Sequence, residues 1–240
     1  MFNVLIIYLN ILYFYALIET IMAKKKKITK DAIVSMYMEY VLEHSSNPSS
    51  VYKFAKINNF EETLFYEHFS SFEAIETGVF KSFYSNTMKL LELNEAFQNY
   101  NSRNKLLSFY FTFFENLTAN RSYVVFSLNK GKNNHLKGLK SLGELKKVFC
   151  EFIESLHIET IDLKNDRFEK IQQRSIKESA WFQLLTTIKF WLDDSSPSFE
   201  KTDIFIEKSV NASFDILDNT PVKSIIDFGK FLFKEKIHMH

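Results

Sequence analysis

Two groups of side chains in this sequence have chemistry to offer. The first is aromatic with polar companions: Tyr110, Phe113, Phe114 and Trp181, with Arg121, His157 and Gln183 as the available polar handles. Pockets between helices are apolar cavities with a few oriented polar groups, so this group reads either as a site for a hydrophobic small molecule or as plain core. The second group is nucleophilic or metal-binding, and it is thin. Cys150 and His157 stand seven apart, on one face of a helix, but no third residue completes a catalytic set. His238 and His240 end the chain, and two histidines alone make a weak metal site. No Gly-rich phosphate loop and no carboxylate pair at a metal-binding spacing is present. The expectation is a protein that is not an enzyme, with no metal or cofactor.

Those side chains need a helical scaffold to hold them. Five Gly and three Pro among 240 residues leave few breakers, and 26 Phe supply a large aromatic core, which predicts an all-helical chain. A formal net charge of +1 gives no global field for nucleic acid, so any such attraction must be local. The lone Cys150 excludes a disulfide framework and fits a reducing compartment.

Residues 1–22 stand apart. Val4 to Ile18 is apolar except for Asn10, and Lys24, Lys25, Lys26 and Lys27 follow. The stretch reads as translated upstream sequence ahead of Met22-Ala23-Lys24, as a membrane anchor at the short end of the ~17–25 residues a bilayer requires, or as a structural helix. No positive charge precedes the run and no small-residue cleavage site closes it, which argues against a secretory signal. The lysines would keep an anchored domain cytoplasmic. Cytoplasmic placement follows from both of the first two readings.

Hydrophobic periodicity predicts helices over about 29–42, 50–57, 62–68, 72–93, 103–117, 121–128, 139–156, 167–192, 199–217 and 222–236. Ser45 to Ser50, Lys130 to His135 and Asp193 to Ser198 interrupt them. In the helix over 199–217, Phe205, Ala212 and Ile216 lie on one side and Ile206, Val210, Ser213 and Leu217 about 100° round. An arc that broad must cover two surfaces, its own core and a partner subunit. The last predicted helix sets Ile225, Phe228 and Leu232 beside Lys223, Lys230 and Lys234, which suits packing on its own domain or a membrane surface.

The run Asn59-Phe60-Glu61-Glu62-Thr63-Leu64-Phe65-Tyr66-Glu67-His68-Phe69, continuing to Glu73-Ala74-Ile75, has the spacing of a helix-turn-helix. Ser50-Val51-Tyr52-Lys53-Phe54-Ala55 precedes it in register. Over residues 29–75 the chain resembles the TetR/AcrR-like transcriptional regulators. The resemblance implies an all-α, TetR-like fold, with a small helix-turn-helix domain at 23–75 and a larger ligand-binding and dimerisation domain at 76–240. It implies Ser50 and Lys53 on phosphate, Thr63, Tyr66 and His68 on the recognition helix, and Lys24, Lys25, Lys26 and Lys27 as an arm along the DNA backbone. The expected partners are double-stranded operator DNA, a hydrophobic effector and a second copy of the chain.

The departures fall on the DNA-facing positions. Asn59 replaces the turn glycine, a mild change because Asn tolerates the left-handed conformation. Glu61 and Glu62 replace Ser-Lys, and residues 50–75 hold two lysines against four glutamates, a net −2. Carboxylates repel a phosphate backbone, although one can accept a hydrogen bond from cytosine. Further on, Asp194-Ser195-Ser196-Pro197-Ser198-Phe199-Glu200-Lys201-Thr202 resembles the TetR-like lipid-binding proteins of ubiquinone biosynthesis. That likeness implies the alternative function, an apolar-ligand carrier at a membrane surface that has lost DNA binding.

Overall fold

The computed structural model describes residues 28–129, 135–158 and 166–218. The extension over 1–22, the Lys24–Lys27 run, the loop over 130–134 and the candidate helix over 222–236 lie outside the described residues. Among the described residues the chain is helical and without strands: α1 (Lys30–His44), α2 (Val51–Ile57), α3 (Glu62–His68), α4 (Phe72–Glu92), α5 (Ser102–Ala119), α6 (Arg121–Asn129), α7 (His135–Lys140), α8 (Gly143–Ser155), α9 (Asp166–Asp193) and α10 (Glu200–Asp218). None of the described helices is long and apolar enough to cross a membrane.

Caps fix the boundaries of the first four helices. Thr29, Ser50 and Ser71 accept from the backbone N–H three residues on, at 3.2 Å each, which satisfies an orphan donor at the start of α1, α2 and α4. Ser45 ends α1 in the left-handed region, at φ 51°. The start of α3 is different: Glu61 makes no side-chain cap bond there.

Helix α5 is the axis of the larger part. Leu106, Phe109, Tyr110, Phe113, Phe114 and Leu117 are buried on it, because α4, α6 and α10 all pack against it. Helix α8 lies against α4 and α9. Directional bonds tie these layers: Asn116 Nδ2 donates to the Phe83 carbonyl at 3.1 Å, and Ser102 Oγ to the Leu156 carbonyl at 2.8 Å. The burial is non-directional, so such bonds fix which helix lies where.

The structure corrects the sequence reading at 139–156, where one helix was expected. The chain turns at Ser141–Leu142 between α7 and α8. Ser141 Oγ donates to the Gly138 carbonyl at 2.6 Å, and Leu142 is buried. Gly138 lets α7 pack close on α6: a Cβ there would lie 2.4 Å from the Leu128 carbonyl oxygen, a distance only glycine permits.

Candidate functional site

The α1–α3 unit is organised around Phe54, which is fully buried. The rings of Phe60 and Phe72 meet it edge-on at 5.7 Å, and those of Tyr37 and Phe65 at 6.3 Å. The turn to α3 needs a left-handed residue, and Asn59 supplies it at φ 55°. Phe60 N–H then donates to the Ala55 carbonyl at 3.0 Å, and Asn58 Nδ2 caps the Phe54 carbonyl at 2.8 Å. This geometry lays α3 across α2.

The outer face carries Lys53, Thr63, Tyr66 and His68, all exposed. Tyr66 is 55% exposed although its neighbour Phe65 is fully buried. Ser50 has its oxygen committed to the Lys53 N–H, and its hydroxyl proton remains able to donate. Glu61 and Glu67 are exposed on the same face, and Glu62 is half-buried. Two members of this face escaped the sequence reading: Tyr52 is exposed, with the Lys56 ammonium 5.9 Å from its ring centroid. Their i, i+4 spacing beside Lys53 was the available signal.

The aromatic group named from sequence divides. Tyr110, Phe113 and Phe114 are closed inside the core, Tyr110 stacked on Phe114 at 6.1 Å, and none of them lines a cleft found among the described residues. Burial pushes the Tyr110 hydroxyl well above the ordinary phenol range, partly offset by the Thr187 hydroxyl beside it. Trp181 is half-buried, 6.3 Å from Phe149. Arg121 is committed to the fold: it donates to the Trp191 and Leu192 carbonyls at 3.1 Å each. Its guanidinium also lies 4.4 Å from the Trp191 ring and 4.6 Å from the Phe199 ring. His157 is not on the face of Cys150, because α8 ends at Ser155 and His157 follows at φ 46°.

Two of the polar handles meet clefts: His157 lines a small one of about 210 Å³ with Ile176 and Lys177, and Gln183 a larger one. A space of about 390 Å³ opens between the first half of α9 and the end of α10, floored by Leu106 and Ile153. Ser175, Ser179 and Ala180 leave the room, and no charged side chain lines it. Gln183 Nε2 donates to Ser209 Oγ at 3.2 Å, and Ser213 Oγ lies 3.1 Å from Gln183 Oε1. The cleft thus has apolar walls and one hydroxyl–amide cluster.

The outer side of the same two helices sets apolar side chains beside the exposed Lys201 and Lys208. Phe182 is 67% exposed, Ile204 is exposed, and Phe190 stacks on Phe205 at 4.5 Å along the surface. Ile206 and Val210 face inward and are fully buried, whereas Ile216, expected on the side of Phe205, lines the cleft with Ser213 and Leu217.

The corner between α9 and α10 is built by Asp194. One carboxylate oxygen accepts from Ser196 N–H and Oγ at 2.8 and 2.7 Å, and the other from Thr202 N–H and Oγ1 at 3.0 and 2.7 Å. Burial alone would raise this carboxyl, but the four donors outweigh it and hold it well below the usual range. The network stabilises two successive left-handed residues, Ser198 at φ 53° and Phe199 at φ 60°. The polar side chains of Asp194, Ser196 and Thr202 therefore have a structural duty at this corner.

A protein-family model described as tetracyclin repressor-like, C-terminal domain, matches residues 105–232, more than half of the chain. No curated protein matches the chain. The family match covers α5 to α10, the helices that form the core, the cleft and the exposed apolar face. The helical turn at Asn59 lies outside it and points the same way on separate residues. The chain belongs to the TetR-like family of regulators.

Proposed function

We propose that the chain is a dimeric transcriptional regulator whose α2–α3 unit binds operator DNA and whose larger part senses an uncharged apolar molecule. The observation that carries this reading is the left-handed turn at Asn59, which sets α3 beside α2 and leaves Lys53, Thr63, Tyr66 and His68 exposed in a repressor-like chain. Residues 23–75 act as the DNA unit and 76–240 as the sensing and dimerising unit. Lys24 to Lys27 supply basic charge that the α2–α3 face lacks.

Dimerisation is supported by the exposed Phe182 and Ile204 and the half-buried Phe205 on α9 and α10. Two copies joined there by a two-fold axis carry two α3 helices, which is how one protein reads two half-sites about one DNA turn apart. The effector site is the cleft beside Gln183. Its volume falls in the range of about 300–1,000 Å³ that holds drug-sized molecules. The uncharged lining disfavours an ionised ligand, because a buried charge without a partner costs several kcal/mol or more. The ligand acts only through its different affinity for the two arrangements of the heads.

A second reading keeps the apolar cleft and drops the DNA: a lipid or quinone carrier. The exposed Glu61 and Glu67 on the outer face favour it. One experiment separates the two. Genomic fragments are selected on the native chain, and the same preparation is extracted with organic solvent for mass spectrometry. A recovered palindrome supports regulation, whereas an empty selection with extracted lipid overturns it.

A further inference from the structure

One carboxylate joins four parts of the fold. Glu76 lies on the second turn of α4, just past the α2–α3 unit. Its Oε1 accepts from the Tyr37 hydroxyl of α1 at 2.6 Å and from Asn47 Nδ2, in the turn after α1, at 2.9 Å. The first is short, as expected for a hydroxyl on an ionised acceptor. Tyr37 cannot swing aside, because its ring is fully buried and stacked on Phe72 at 5.7 Å. Burial, followed by the bond to Glu76, keeps its hydroxyl protonated. Tyr123, buried on α6, also feels the Glu76 charge, after the larger effect of its own burial.

The rest of the junction is apolar packing beside an open cleft. Ile33, Val34 and Val41 of α1 share one core with Tyr123 and Val124 of α6, and next to that contact lies a cleft of about 880 Å³ lined by Glu73, Glu76, Thr77, Ser127 and Ser141. Apolar contact resists separation but hardly resists sliding, whereas hydrogen bonds to a fixed acceptor define an angle.

We propose that Glu76 is the positioning residue that sets the angle of the α1–α3 unit on the larger part of the chain. Its consequence for DNA, the spacing of two α3 helices in a dimer, rests on the DNA-binding reading; the positioning itself does not.

The test measures geometry directly. Spin labels are placed at Lys53→Cys and Glu115→Cys in a Cys150→Ser background, and the labelled full chain is diluted with unlabelled chain so that only distances within one protomer are read. The native distribution is narrow. Glu76→Ala broadens or shifts it, and amides of α1–α3 exchange about tenfold faster or more, the equivalent of one charged hydrogen bond. Protection in α5 and α8 stays native. Glu76→Gln keeps an oxygen acceptor for both donors and restores the narrow distribution. A native distribution in Glu76→Ala overturns the proposal, and so does equal loss of protection in α5 and α8, which marks a residue that serves fold stability alone. If the labelled variants show the predicted geometry while the unlabelled native chain, with Lys53 intact, binds no DNA, the DNA-binding reading falls and the positioning stands.

Discussion

The α2–α3 pair and the α9–α10 pair are both packed tightly on their inner sides and differ in what they show outward. The first presents Lys53, Tyr66 and His68 among Glu61 and Glu67; the second presents Phe182, Ile204 and the Phe190–Phe205 stack. The inner sides obey one rule, burial of large apolar side chains. The outer sides differ in chemistry: a mixed polar face suits a solvated, charged polymer, and exposed apolar side chains suit another apolar surface.

Removing an inner ring tests the shared rule and has the largest expected effect. Phe54→Ala should cost about 3–5 kcal/mol in urea denaturation, since the ring is fully buried among aromatic neighbours. Phe182→Ala should change the stability of an isolated protomer by less than about 0.5 kcal/mol. If both cost the same, the contrast between packed and presented faces fails.

The outer apolar face is tested by charge. Phe182→Glu should convert a dimer into a monomer in light scattering at micromolar concentration, because a central aromatic contact is worth about 2 kcal/mol or more and the new carboxylate would be buried unpaired. A native chain that is already a compact monomer removes this interface.

Next in size is the turn. Asn59→Val should cost about 1–2 kcal/mol, the penalty for a side chain held left-handed, while Asn59→Gly should be close to neutral in the same denaturation experiment.

Last comes the α9–α10 corner, whose contribution is present at neutral pH and is lost only in acid. The Asp194 carboxyl is depressed in the folded state, so its stabilisation is complete above the unfolded value of about 3.9 and disappears as the pH falls through the folded value. Thermal melts of the native chain should therefore fall in that acid range, and Asp194→Asn should flatten this limb of the profile. An unchanged acid limb in the variant would assign the loss to other carboxylates.

Much of the scaffold was legible because it depends on short-range signals. Ser50 caps α2 at the end of the expected break at 45–50, and Asn59 adopts the conformation that its chemistry tolerates. The buried side of α10, Ile206 and Val210, was legible from periodicity. What the sequence hid depends on distant contacts. Gly138 lay between the expected loop and the expected helix, and nothing local revealed that α6 passes beside it. Tyr110 and Phe114 had the same composition as a pocket wall, and only their packing against α9 and each other closes them. Arg121 looked like a ligand handle because nothing local revealed that it holds the end of α9, 70 residues away. Gln183 kept its place beside a cleft because small residues, Ser179 and Ala180, precede it.

The central claim is that the α2–α3 face binds DNA through few phosphate contacts in spite of its carboxylates, and the salt dependence of binding tests it most directly. Anisotropy titrations on a selected duplex should give a slope of log K against log salt of roughly −2 to −5 per dimer, at ~0.9 per contact. Glu61→Ser combined with Glu62→Lys should bind tighter and with a steeper slope, because repulsion is removed and a cation added on each protomer. No association of either protein with any duplex at about 50 mM salt, where phosphate contacts count most, would contradict the account.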